Sequence, residues 1–303
     1  MDHNDRMAAA RRSLDGLSVG DAFGECFFPL ATDPLSWELH LSTRTLPNWR
    51  WRWTDDSAMA VSIVEVLDRQ GVIDQDDLAQ TFARRYAWDD RRGYGGTAHG
   101  ILMAIGAGGD WREVSPAVLS GMGSMGNGGA MRAAPIGAHF ATDGPSIVAE
   151  QARLSAEVTH AHPDGQAGAV GVALAAAWVA LNPGAGVDAW DALFDYVLAH
   201  MPDCQTRARV AQARAMGPKM SAQTVVAAVG NGSGIIAPDT VPFCIWNAAR
   251  CLGQFEEAMW TTVEAGGDMD TTCAIVGGII AAEERGAPPA EWLARREPLP
   301  DPV

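Results

Sequence analysis

Lysine is nearly absent from this 303-residue chain: Lys219 is the only one. Lys and Arg together number 22 against 37 Asp and Glu, a formal net charge of -15. Such a surplus repels a nucleic-acid backbone or an anionic membrane surface, so neither is expected as a partner. Cysteine is scarce as well. Cys26, Cys204, Cys244, Cys251 and Cys273 are odd in number, scattered, and show no Cys-x-x-Cys spacing. That argues against a disulfide framework and a thiolate zinc site, and fits free buried thiols in a reducing compartment. No uninterrupted apolar core of signal-peptide type follows Arg11 and Arg12, because Ser13 and Asp15 interrupt it. The longest apolar stretch, 167–181, falls short of the roughly 18–20 residues that cross a bilayer and reads as a buried helix. A cytoplasmic, monomeric protein is expected. Alternating β patterns, fixed-period repeats and Pro/Ser linkers are hard to find.

What is present is helical. Hydrophobic residues make up 48% and charged ones 19%, which excludes disorder over most of the length. Residues 57–70 place Met59, Ile63, Val66 and Leu67 on one face, and Gly71 follows as a stop. Similar patterns predict helices over 76–88, 97–105, 145–158, 166–181, 189–200, 205–216, 222–229, 241–253, 255–263 and 271–284. The joining segments are rich in Gly, Pro, Asn and Asp. The expectation is an all-α fold, with one domain of about a dozen helices over residues 1–303. The tail after Trp292 is expected to be loose.

Two acidic clusters carry the chemistry. Trp53-Thr54-Asp55-Asp56-Ser57 opens one helix, and Gly266-Gly267-Asp268-Met269-Asp270-Thr271-Thr272 opens another. Either alone could be a helix cap, since side-chain oxygens accept the free N–H groups there. Each, however, holds more carboxylates than a cap needs and leads into a small, apolar helix suited to burial. Packed like charges are costly there without a cation. Four carboxylates plus threonine hydroxyls form an all-oxygen donor set, which suits Mg²⁺ or Mn²⁺ rather than zinc. If the clusters converge, a two-metal site is feasible.

Three weaker constellations accompany them. Gly126-Asn127-Gly128-Gly129-Ala130-Met131-Arg132 offers backbone N–H groups that a ligand can approach closely, or is a flexible linker. Thr159-His160-Ala161-His162 is either a pair of metal ligands or, more commonly, a capped loop. Gly20-Asp21-Ala22-Phe23-Gly24-Glu25 means little alone.

Taken together and in this order, GDAFG (20–24), WTDDSAMA (53–60), GNGGAMRAAPIG (126–137), THAHPDGQAGA (159–169) and GGDMDTTCAIVGGIIAA (266–282) resemble the ADP-ribosylglycohydrolase family. The resemblance implies an all-α fold with a binuclear Mg²⁺ centre, in which Mn²⁺ could substitute. It implies Thr54, Asp55, Asp56, Asp268, Asp270 and Thr271 as metal ligands. Gly126, Asn127, Gly128 and Gly129 would line an ADP-ribose cleft, His160 would contact substrate near the ribose and diphosphate, and Asp21 would support the site. Many members carry a glutamate on a mobile flap, where this chain has Phe28; Glu25 is the nearest carboxylate and Glu38 another candidate.

The expected activity is Mg²⁺-dependent hydrolysis of the glycosidic bond between ADP-ribose and an acceptor on a protein or small molecule, with arginine favoured. Asp56 or Glu25 would be the base. The alternatives are a non-catalytic ADP-ribose-binding module and a Mg²⁺-dependent phosphohydrolase. The Trp49-Arg50-Trp51-Arg52-Trp53 stretch could stack on an adenine or guanidinium, or serve as a hydrophobic prop.

Overall fold

Glycine recurs at every fourth position late in the N-terminal helix His3–Glu25, at Gly16, Gly20 and Gly24. Residues four apart share a helix face, so the three form a side-chain-free stripe. In the computed structural model, which describes residues 2–300, that stripe lies against the helix Met269–Ile280. The approach leaves no room for a methyl group. A Cβ on Gly20 would lie 2.2 Å from the Cys273 carbonyl oxygen, and one on Gly24 would lie 2.2 Å from that of Met269. Asp21, on the first helix, is thereby carried near enough to Asp270, at the start of the second, for their charges to interact.

The sequence pattern did not reveal His3–Glu25 as a helix, because glycines and a mixed polar face obscure the apolar period. The short helices Phe27–Ala31, Pro34–Thr43, Trp111–Gly121, Ala134–Phe140 and Ala290–Arg295 were likewise not foreseen. Helices this short are marginal alone; Pro34–Thr43 buries no residue and is started by the Asp33 cap and Pro34. Expected helices fall close to their places. Asp55–Gln70 ends at Gly71 with φ +70, the left-handed stop that glycine adopts without strain. Two boundaries shift by several residues: 241–253 is Ala237–Arg250, with Pro238 in its first turn, and 271–284 is Met269–Ile280. Among the described residues there is no β-strand, only the isolated bridges Trp51–Arg296 and Gly126–Ile236.

The apolar stretch seen at 167–181 belongs to the longer helix Pro163–Leu181, which is long and apolar enough to cross a membrane by length and composition. It is instead a core helix: 83% of its most apolar window is buried. It packs on Ala134–Phe140, Pro145–Glu157, Ala237–Arg250 and Met269–Ile280. A helix apolar all round belongs inside, where every face finds a partner.

The tail is not loose as far as residue 300. Trp292 is buried, Arg296 donates to Ser18 (2.6 Å) and Asp15 (3.3 Å), and Glu297 pairs with Arg92 at 2.8 Å. Trp51 exchanges backbone bonds with this segment, donating to Arg295 and accepting from Glu297. Residues 301–303 lie outside the described residues. The same contacts settle part of the tryptophan stretch. Trp51 is fully buried, 5.4 Å from both Phe23 and Trp292, and Arg92 lies 3.5 Å over the Trp53 ring. Both are props. All five cysteines are free thiols.

Candidate functional site

The turn before Asp55–Gln70 is held from below by Asp21. Its buried carboxylate accepts from the amides of Thr54 (2.9 Å) and Ser57 (3.0 Å) and from the Ser57 hydroxyl (2.5 Å). Thr54 caps the helix, accepting from the Asp56 amide, and its hydroxyl donates to Asp56 Oδ2 at 3.0 Å. Asp55 and Asp56 are thus fixed in the first turn. Asp55 is tied sideways as well, its amide donating to the Arg92 carbonyl at 2.6 Å.

The second acidic turn depends on two left-handed glycines, Gly266 at φ +66 and Gly267 at φ +78. A Cβ on Gly267 would lie 2.3 Å from the Asn231 carbonyl oxygen. The turn delivers Asp268, Asp270 and Thr271 to the cleft that Asp55 and Asp56 also line. The glycine loop joins them: Asn127 Nδ2 donates to Asp268 Oδ2 at 2.6 Å and to Thr240 at 3.1 Å. Gly126, Gly128 and His160 complete this wall. The cavity measures about 310 Å³, at the small end of the range for ligand sites.

Charge in this cleft is unbalanced. Burial raises Asp55 to about 7, and the charges of Asp21 and Asp268 push the same way. Asp56 is raised well above the usual carboxylate range by burial and by Asp270, and Asp270 likewise by burial and by Asp268. Burial lifts Asp21 to about 6 despite its hydrogen bonds. Asp56 Oδ1 and Asp270 Oδ1 are buried without a hydrogen-bond partner among the described residues. Buried acceptors left bare and carboxylates raising one another are the condition a divalent cation would relieve. The donors are hard oxygens, as Mg²⁺ requires. Among the described residues no three His, Cys, Asp or Glu side chains form a ready-made claw around one point. A Mg²⁺ site here would draw further oxygens from Thr271, water and substrate, as this ion commonly does.

Several expected residues stand elsewhere. Among the described residues, those lining the cleft do not include Glu25, Thr54, Asp21 or Gly129. Asp21 accepts from the Thr54 amide, and the Thr54 hydroxyl donates to Asp56, which does line the cleft. Glu25 ends its helix with Arg52 as its charge partner, and burial raises its carboxyl. Phe28 is packed against the core, and Glu38 lines a separate cavity with Trp37 and Trp260. His162 is a cap, accepting from the Asp164 amide at 3.1 Å, so the two histidines do not act as a pair.

Two groups were missed. Gly93, Gly95, Gly96, Thr97 and Ala98 also line the cleft, at and just before the start of the helix Gly96–Gly106. The Gly-Tyr-Gly-Gly run at 93–96 is the same signal as the loop at 126–129 and was legible. Arg132, fully buried, also reaches the cleft.

The chain matches the ADP-ribosylglycohydrolase family over residues 2–301. It is 32% identical to the ADP-ribosylhydrolase ARH3 of Mus musculus over 262 residues, covering 76% of this chain and 69% of that protein. The Homo sapiens ARH3 is 31% identical over 262 residues, covering 76% and 70%. An uncharacterized protein of Archaeoglobus fulgidus is 29% identical over 292 residues, covering 93% and 90%. A solved structure of an ADP-ribosylglycohydrolase-related protein complex superposes with a TM-score of 0.66 at 24% identity, covering 97% of this chain and 94% of that one; it speaks for the fold. On the extent of these matches, the chain belongs to the ADP-ribosylglycohydrolase family.

Proposed function

We propose that this protein is a Mg²⁺-dependent hydrolase that cleaves the glycosidic bond joining ADP-ribose to a modified acceptor. Membership of the family supports hydrolysis of ADP-ribose conjugates. The observation that carries the finer reading is the meeting of Asp55 and Asp56 with Asp268, Asp270 and Thr271 in one cleft, across some two hundred residues of chain.

Asp55, Asp56, Asp268, Asp270 and Thr271 would hold two cations, with Thr54 in support through Asp56. When bound, such ions supply positive charge that acidifies a water and orients sugar hydroxyls. The chain's own groups do the rest. Asp56 would take the water's proton; the Thr54 hydroxyl, donating to its Oδ2 at 3.0 Å, would orient that carboxylate. The diphosphate would lie on the first amides of the helix Gly96–Gly106, those of Gly96, Thr97 and Ala98, because in the other glycine loop the Gly126 and Asn127 amides already donate to Ser124 Oγ and to the Ile235 carbonyl. Backbone N–H groups bind such an anion without lysines, which reconciles an acidic protein with an anionic ligand. Arginine is the acceptor to test first.

The absence of Glu25 from the cleft lining favours a second reading, an ADP-ribose-binding module without turnover. Incubation with arginine-, serine- and nucleobase-linked ADP-ribose, with and without Mg²⁺, separates the two. Mg²⁺-dependent release of free ADP-ribose supports hydrolysis. Tight binding with no release from any linkage supports the module, and release of phosphate instead would point to a phosphohydrolase.

A further inference from the structure

Thr159 stands between two groups with unequal hydrogen-bonding options. Arg132 can only donate. Its Nη2 donates to Thr159 Oγ1 at 2.9 Å and to the Ser155 carbonyl at 3.0 Å, and its Nη1 donates to the Gly128 carbonyl at 2.9 Å. The guanidinium is fully buried and lies 4.6 Å over the Phe82 ring, so its orientation is fixed. Having accepted from Arg132, the Thr159 hydroxyl still holds its one proton. The acceptor in reach among the described residues is His160 Nδ1, at 2.7 Å. Nδ1 is then the bare nitrogen, and the ring proton sits on Nε2. The opposite tautomer would aim an N–H at an oxygen already serving a cation and strand the hydroxyl proton in a buried site.

Nε2 faces the glycine loop. A Cβ on Gly126 or Gly128 would lie 3.2 or 3.1 Å from it, so the missing side chains keep that nitrogen open to the cleft. We propose that Arg132 and Thr159 are positioning residues that lock His160 as a neutral Nε2–H donor, aimed at an oxygen of the ADP-ribosyl group. His160 therefore neither takes a proton nor binds a cation through Nε2. Burial and the nearby Arg132 hold its imidazole down to about 3, in keeping with a neutral ring. The ligand half of this proposal rests on the ADP-ribose reading of the cleft; the tautomer half does not.

The test is a long-range ¹H–¹⁵N spectrum of histidine-labelled protein, paired with calorimetric titration of ADP-ribose. The wild type is expected to carry Nε2–H. Thr159→Ser, which keeps the hydroxyl, restores both the tautomer and the affinity. Thr159→Val shifts the ring towards Nδ1–H and weakens ADP-ribose by about tenfold. A wild-type ring with Nδ1–H overturns the proposal whether or not the valine variant folds. So does a Thr159→Val protein that keeps both Nε2–H and full affinity. A shifted tautomer with unchanged affinity overturns the recognition half. If the wild type shows Nε2–H but binds no ADP-ribose, the functional reading fails and the tautomer assignment stands.

Discussion

Asn127 and Asp268 are joined by a 2.6 Å hydrogen bond from amide to carboxylate, although 141 residues separate them. The bond ties the glycine loop to an acidic turn and gives one oxygen of Asp268 a donor. Asp56 and Asp270, by contrast, each keep an oxygen with no partner among the described residues.

That imbalance has a consequence for stability. The Asp55 carboxyl, raised from 3.8 to about 7, holds its proton more tightly folded than unfolded. Its contribution is therefore fully present below about pH 4 and is lost as pH rises towards 7. In chelator-treated protein at pH 8, Asp55→Asn is expected to raise stability by on the order of 2 kcal/mol, and to do nothing at pH 4. Urea denaturation at both values checks this. Equal effects at the two pH values would remove the charge explanation.

His160 has the opposite sign. Its pKa falls from 6.5 to about 3 on folding, so the unfolded chain binds the extra proton between those limits. Its stability contribution is present above pH 6.5 and is lost as pH falls towards 3. About 2 kcal/mol goes between pH 8 and pH 5. Denaturation of His160→Gln at the two pH values should show that much less acid sensitivity than the wild type.

Gly20 is where two helix backbones touch. Gly20→Ala would place a methyl 2.2 Å from the Cys273 carbonyl oxygen. Neither backbone can yield without moving Asp21 or Asp270. A loss of about 1–3 kcal/mol or more is expected, together with weaker Mg²⁺ binding, since the shift passes directly to the carboxylates. Thermal melts with and without Mg²⁺ measure both effects. A variant as stable as the wild type would mean that the two helices are less tightly apposed.

The helices of 57–70 and 205–216 and the two acidic turns were legible because their signals are local: an apolar period, a glycine stop, and more aspartates than a cap uses. The helix His3–Glu25 was not, because its glycine stripe reads as breakage until the partner helix is known. The docking of Arg296 on Asp15 and Ser18 was also out of reach, since polar residues reveal no partner some 280 positions away. Asp21 was readable only through the resemblance, because its hydrogen bonds to the Thr54 and Ser57 amides join residues more than thirty positions apart. The loop at 93–96 was readable and overlooked. Glu25 was favoured for its nearness in sequence to Phe28, but its helix ends with the carboxyl near Arg52 rather than in the cleft.

The central claim is that two distant aspartate turns work together on one ADP-ribosyl bond through shared divalent ions. The direct measurement is release of free ADP-ribose from an arginine- or serine-linked substrate, by wild type in Mg²⁺, wild type in excess EDTA, and the variants Asp55→Ala and Asp268→Ala. The account predicts turnover in Mg²⁺ alone, with losses of more than about 100-fold in EDTA and in either variant. Full turnover in EDTA, or by either variant, would contradict it.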